Sequence, residues 1–203
     1  MLSLRVRPAL ARVVDPVAGA LLRAGVSPDA VTVVGTLGVV SGALAFFPRG
    51  MLFVGTMVVT AFVLTDMLDG AMARRLERRS LFGAWLDSTC DRLADAAVFS
   101  GLVLWFVGDG DDRLLAGVAL FCLVAGSLVS YAKARAEGLG LRCDVGFAER
   151  AERLIIVLVG AGLSGLGVSW ALPVGLWALA AASAVTVVQR LLEVRRQAAA
   201  AVR

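Results

Sequence analysis

Six long apolar blocks, separated by short polar links, leave this chain few folds to choose from. They read AVTVVGTLGVVSGALAFF, MLFVGTMVVTAFVLT, AVFSGLVLWFVG, LLAGVALFCLVAGSLVSYA, LIIVLVGAGLSGLGV and ALPVGLWALAAASAVTVV. A membrane-spanning helix needs about 20 predominantly apolar residues, because its backbone polar groups must be satisfied within the segment. The expected fold is therefore an all-α integral membrane protein with six transmembrane helices plus an N-terminal amphipathic surface helix. One domain over 1–203 is expected, with a juxtamembrane helix at 1–25 and a six-helix core at 29–192. The composition agrees: 59% of residues are hydrophobic and 18% charged, against roughly 45–50% and about 25% in soluble domains. No water-soluble domain is left over.

Charge sorts the connections by side. Arg5, Arg7, Arg12 and Arg23 precede the first span; Arg74, Arg75, Arg78 and Arg79 lie between the second and third. Lys133, Arg135, Arg142, Arg150 and Arg153 lie between the fourth and fifth, and Arg190, Arg195, Arg196 and Arg203 close the chain. The opposite connections hold Arg49, the acidic GDGDDR and the uncharged LSGLGVSW. By the positive-inside rule both termini and the Arg-rich links face the cytoplasm, at the plasma membrane. The net charge of +4 then reflects orientation and anionic lipid, not nucleic acid. The first 25 residues, interrupted by Arg5, Arg7, Arg12 and Asp15, suit a helix lying on the bilayer surface rather than a cleaved signal.

The chain has no histidine and three cysteines, Cys90, Cys122 and Cys143. The missing imidazole removes the commonest general base and the commonest metal ligand. The cysteines form neither a disulfide framework nor a metal pattern and read as small core residues. Acid–base or metal chemistry must rest on carboxylates.

Those carboxylates are in the segment DMLDGAMARRLERRSLFGAWLDSTCD. On a helix Asp66 and Asp69 share a face, continued by Gly70 and Ala73 with almost no side chain. Gly83, Asp87 and Asp91 follow at i, i+4, i+8, again one stripe. Two antiparallel helices joined by a short turn would bring the stripes together. Ionised carboxylates a few Å apart repel by several kcal/mol at an effective dielectric near 20, so such a cluster calls for cations. Hard oxygens alone suit Mg²⁺ or Mn²⁺, and one or two such ions with a phosphate-bearing substrate is a common arrangement for phosphoryl transfer. Pairing with neighbouring arginines accounts for one such aspartate, but not for four at this spacing. Asp95, one turn further, reads as a hydrogen-bonded polar residue between helices.

The pattern D-x-x-D-G-x-x-A-R-x8-G-x3-D-x3-D, from Asp66 to Asp91, resembles without a mismatch the signature of the CDP-alcohol phosphotransferases. That family's fold, six transmembrane helices and a surface N-terminal helix, matches the layout above. The resemblance implies that Asp66, Asp69, Asp87 and Asp91 hold two Mg²⁺ (or Mn²⁺) ions, and that Asp91 is also the base for the attacking hydroxyl. It places Gly70, Ala73, Arg74 and Ser80 beside the CDP group of CDP-diacylglycerol. The segment SPDAVT, with Asp29, Ala30, Val31 and Thr32, resembles the family's N-terminal nucleotide contact; by spacing alone Asp29 and Thr32 serve equally as a helix cap. The reaction implied is attack of an alcohol on the β-phosphorus, releasing CMP.

The acceptor is read from a second basic cluster. Lys133, Arg150, Arg153 and Arg190 suit an alcohol carrying its own phosphate, although positive-inside anchoring explains cations such as Arg142. The wording SYAKARAEGLGL…ERAERLIIVLVGAG, with GVSPDAVT and FVLTDMLDGAMAR, is similar to the actinobacterial phosphatidylinositol phosphate synthases. These use CDP-diacylglycerol and L-myo-inositol 1-phosphate (1D-myo-inositol 3-phosphate). That resemblance places Ser130, Lys133, Arg150, Arg153 and Arg190 in an inositol-phosphate pocket. The alternatives are a phosphatidylglycerophosphate synthase using glycerol 3-phosphate, and a cation or metabolite transporter; the latter would place charges near the midplane, with repeats. The family implies a homodimer, and GTLGVVSGALA can pack helices closely, between chains or within one.

Overall fold

The computed structural model describes residues 14–76, 80–147 and 149–200. The expectations for Arg5, Arg7, Arg12, Arg78, Arg79 and Arg203 lie outside the described residues. All regular structure among the described residues is helical. Residues 14–23 (α1) are followed by α2 (Pro28–Phe46), a 3-10 turn (Phe47–Arg49), α3 (Leu52–Val63) and α4 (Asp66–Arg75). Then come α5 (Leu81–Val107), α6 (Arg113–Glu137), α7 (Arg150–Gly165) and α8 (Ala171–Ala200).

Four helical segments among the described residues are long and apolar enough to cross a membrane: Pro28–Arg49, Leu52–Arg75, Arg113–Glu137 and Ala171–Ala200. The second joins α3 to α4 through the near-helical Thr65 (φ −66°, ψ −23°). Large apolar side chains such as Val34, Leu37, Leu104, Leu120, Val124, Ile155, Trp177 and Val188 point outward. Patches of that kind are rare on soluble monomers; they are compatible with a multi-pass membrane protein, whose surroundings are apolar.

The chain divides into two compact units, Met1–Gly42 with Val58–Ala94, and Ala43–Met57 with Asp95–Arg203. In the first, α1 ends at Gly25 (φ +79°), with Val26 N–H donating to Leu21 O and Gly25 N–H to Leu22 O. This reversal is cheap for glycine, which has no Cβ to strain. It lets Val14, Leu21, Leu22, Val26 and Val31 pack on the buried Ala18, Ala71 and Met72, so α1 and the start of α2 close over α4. The α2 glycines face the chain's own next helix. A Cβ on Gly35 or Gly38 would collide with Thr65 or Phe62, and one on Gly42 would come within 2.8 Å of Val58. In this part of the chain GTLGVVSGALA is thus used within the protomer, one of the two uses its small residues allow.

In the second unit α6 and α7 both pack on α8, around Val129, Val157, Leu172, Leu176 and Leu179, each at most 1% exposed. Gly160 lets α7 approach the α8 backbone, where a Cβ would stand 3.1 Å from Leu172 Cα. The 138–149 link is fastened to α8. Phe147 N–H donates to Thr186 Oγ1 at 3.2 Å, and Arg142 N–H donates to Gln197 Oε1 at 3.0 Å, with Gln197 Nε2 returning a bond to Arg142 O. Gly146 (φ +119°) lies against Thr186, leaving no room for a side chain. Cys122 and Cys143 are buried and Cys90 half-buried, all free thiols.

Candidate active site

Within the first unit, the helix starts of α2, α4 and α5 border a cavity of about 480 Å³. Its walls are Pro28, Asp29 and Thr32 from α2, Asp66, Asp69, Gly70, Ala73 and Leu76 along α4 and its end, and Ser80, Gly83, Ala84 and Asp87 where α5 begins. Each helix delivers its residues by its 3.6-residue period: 66, 69, 70 and 73 share one face of α4, and 80, 83, 84 and 87 one face of α5. Ala30 and Val31 are not among the lining residues. Ala30 is exposed, and Val31 packs on the apolar cluster under α1.

Asp69 sits deepest, 8% exposed. Its Oδ2 accepts a 2.6 Å hydrogen bond from the Thr32 hydroxyl, which also reaches Pro28 O at 3.2 Å. Asp69 feels the charges of both Asp66 and Asp87. Taking an ionised carboxylate out of water costs several kcal/mol, and one neutral hydroxyl does not return that. A buried carboxylate repelled by two others, amid hydroxyls and backbone, is the environment a hard divalent cation offsets. The donors present therefore fit such an ion. Among the described residues no three carboxylates or thiols stand close enough together to hold an ion as they are placed. Asp91 is off the cavity lining, one helical turn beyond Asp87, with its Oδ2 3.7 Å from Arg92.

Ser27, not Asp29 or Thr32, caps α2, accepting from Ala30 N–H at 3.2 Å. Ser80 caps α5, its Oγ accepting from Gly83 N–H at 2.7 Å; its own proton stays available to donate. A Cβ on Gly83 would stand 2.8 Å from Ser80 Oγ and 3.1 Å from Asp29 Oδ1, so glycine keeps this corner open. Arg74 is exposed and lies over Gly70, 3.4 Å from where a Cβ would be. With Asp66 and Asp69 in its first turn and Arg74 and Arg75 in its last, α4 carries charges that complement its dipole.

The expected acceptor residues lie in the second unit, and the four cations among them meet carboxylates. Arg153 donates to Asp95 Oδ2 at 2.8 Å, with side chains 2% and 8% exposed, and Arg150 Nε is 3.5 Å from Asp95 Oδ1. Gly126 of α6 makes room for Arg153: a Cβ there would stand 2.9 Å from its Nε. Arg190 donates to Val145 O at 3.0 Å and to Val129 O, and its Nη2 is 3.7 Å from Glu149 Oε1. Lys133 Nζ is 2.8 Å from Asp144 Oδ1 and 4.0 Å from the same Glu149 oxygen. That hydrogen bond and charge hold the Asp144 carboxyl below its ordinary range. Ser130 donates to Gly126 O at 3.1 Å. Asp144 and Glu149 were not among the expected site residues; the signal was their position within the GLGLRCDVG link and at the start of the ERAER run. Asp95 has the role expected of it, a polar partner between helices.

Residues 25–188 match the sequence model of the CDP-alcohol phosphatidyltransferases. A phosphatidylinositol phosphate synthase of Streptomyces avermitilis is 51% identical over 208 residues, covering 99% of this chain and 85% of the relative. One from Mycobacterium tuberculosis is 56% identical over 188 residues, covering 91% and 87%. The crystal structure of the Mycobacterium tuberculosis phosphatidylinositol phosphate synthase with CDP-DAG bound superposes with a TM-score of 0.88 at 55% identity, covering 91% of this chain and 94% of that one. The same enzyme in complex with manganese and citrate gives 0.86 at 54% identity, covering 89% and 88%. A family match over most of the chain, on the helices that carry the aspartates, settles its membership: this chain is a CDP-alcohol phosphatidyltransferase.

Proposed function

We propose that this transferase moves the phosphatidyl group of CDP-diacylglycerol to L-myo-inositol 1-phosphate (1D-myo-inositol 3-phosphate), giving phosphatidylinositol phosphate and CMP. The observation that carries this reading is the cavity bounded by Asp66, Asp69 and Asp87 against Asp29 and Thr32, in a chain 55% identical to a synthase solved with CDP-DAG bound.

Asp66, Asp69, Asp87 and Asp91 would hold the divalent ions, two Mg²⁺ in this reading; a structural relative is in complex with manganese. When bound, such ions neutralise the pyrophosphate and the departing CMP. Asp29, Thr32, Gly70, Ala73, Arg74 and Ser80 border the nucleotide, where the small residues let it approach the backbone. Thr32 fixes the Asp69 carboxylate. The acceptor hydroxyl attacks the β-phosphorus; a new P–O bond forms, the P–O bond to CMP breaks, and Asp91 takes the hydroxyl proton. With no histidine in the chain, a carboxylate within hydrogen-bond reach of the hydroxyl is the base these residues can offer. Ser130, Lys133, Arg150, Arg153 and Arg190 would bind the acceptor's phosphate.

The same reading makes the chain a single domain with six spans. α5 adds an apolar second half within 27 residues, about 40 Å of helix, and α7 adds 16 residues, about 24 Å. It also places the N-terminal helix α1 on the surface, the termini and aspartates on the cytoplasmic side, and two chains in a dimer. The test is CMP release by purified protein with CDP-diacylglycerol and Mg²⁺, across inositol 1-phosphate, glycerol 3-phosphate and unphosphorylated inositol. Release that needs inositol 1-phosphate supports the reading. Release with glycerol 3-phosphate alone would overturn it.

A further inference from the structure

We propose that Glu149 is a built-in competitor for the acceptor's phosphate, occupying its seat until the acceptor displaces it. The proposal rests on the reading that Lys133 and Arg190 bind that phosphate.

One carboxylate oxygen, Glu149 Oε1, stands between two cations from different helices, 4.0 Å from Lys133 Nζ of α6 and 3.7 Å from Arg190 Nη2 of α8. An anionic oxygen shared by an ammonium and a guanidinium is what a phosphate monoester presents to such a pair. Arg190 cannot swing aside: Val145 O and Val129 O hold its other nitrogens, and its side chain is 2% exposed. The link carrying the carboxylates is fixed to α8 through Thr186 and Gln197.

Glu149 is by contrast easily moved. Its side chain is 54% exposed, and both of its ion pairs lie beyond hydrogen-bond length. Contacts of this kind are individually weak. It is the N-cap of α7 but makes no side-chain cap bond, so helix initiation does not depend on its carboxylate. Without acceptor, Glu149 offsets the buried Arg190 charge. A phosphate monoester carries about −1.5 to −2 at neutral pH and can hydrogen-bond to both cations at closer range, so it displaces a carboxylate of charge −1. The acceptor's affinity is thus net of this exchange, and weaker anions are held off.

The experiment measures acceptor and CDP-diacylglycerol KM separately in the full-length protein, wild type against Glu149→Gln, Glu149→Asp and Lys133→Ala, with thermal melts to confirm folding. Glu149→Gln is expected to lower the acceptor KM about threefold, the scale of a weak exposed pair. It should strengthen competitive inhibition by inorganic phosphate and leave the CDP-diacylglycerol KM where it was. Glu149→Asp, with a shorter reach, should move the acceptor KM the same way. A purely structural role for Glu149 would raise that KM, never lower it. If Lys133→Ala raises the acceptor KM while both Glu149 variants leave it unchanged or higher, the competitor proposal fails and the pocket stands. If Lys133→Ala leaves it unmoved, the pocket reading fails and takes the proposal with it.

Discussion

Replacing Asp95 by Asn isolates what a buried charge does in this fold. Asp95 Oδ2 is 2.8 Å from Arg153 and Oδ1 3.5 Å from Arg150. The Asp95 and Arg153 side chains are 8% and 2% exposed, and that of Arg150 is 23% exposed. Asn has the same shape, so no cavity opens; what goes is the negative charge facing two guanidiniums. Breaking a buried pair from one side costs about 3–5 kcal/mol, mostly because the remaining charge stays desolvated. For a chain of this length that is a fall in Tm of about 6–20 °C, at about 2–4 °C per kcal/mol. The assay is thermal unfolding of the purified protein in detergent, followed by tryptophan fluorescence. A second variant, Asp95→Leu with Arg153→Met, removes both charges of the closest pair and should melt above Asp95→Asn, because apolar replacement of a buried pair is often neutral. An Asp95→Asn protein melting within about 2 °C of wild type would refute the reasoning, as would a double variant no better than the single.

Other perturbations separate the cavity from the scaffold. Asp91→Asn should fold, melt near wild type and release no CMP in a radiolabelled CDP-diacylglycerol assay; an active variant would remove Asp91 as the base. Thr32→Val should weaken divalent-ion activation about ten- to hundredfold, since it leaves a buried carboxylate without its 2.6 Å donor and such bonds are worth about 1.5–3 kcal/mol; a Mg²⁺ titration of activity reads this. Chelation should abolish CMP release, with Mg²⁺ or Mn²⁺ restoring it. Gly38→Leu should lower folded yield, because its side chain would enter the space of Phe62 and overpacking costs about 1–3 kcal/mol; size-exclusion profiles after solubilisation check it.

Much of the site was legible because it is periodic. The spacing of Asp66, Asp69, Gly70 and Ala73, and of Gly83 and Asp87, is helical, and each set does line one cavity. Periodicity does not say how far a stripe stays in a cavity, and Asp91, in register by sequence, lies off the lining. Short motifs are also ambiguous about caps. SPDAVT offers Ser27, Asp29 and Thr32 to one helix start, and only the path of α2 gives the cap to Ser27 and Thr32 to Asp69. The spans divide in the same way: among the described residues four segments stand out by length and apolarity, whereas α5 mixes Asp87, Asp91, Arg92 and Asp95 into its N-terminal part and α7 is short.

By itself the sequence determined that the chain is helical, oily and without an imidazole, so that carboxylates are the acid–base groups it has to offer. Apolar runs, a missing imidazole and fixed helical spacing are local properties, written along the chain. Only the tertiary structure decided which charges meet. Asp95 finds Arg153 58 positions away, Thr32 finds Asp69 37 positions away, and Glu149 comes to rest between Lys133 and Arg190. Electrostatic partnership depends on distances of a few Å and on the exclusion of water, and both are created by packing, not by order in the chain.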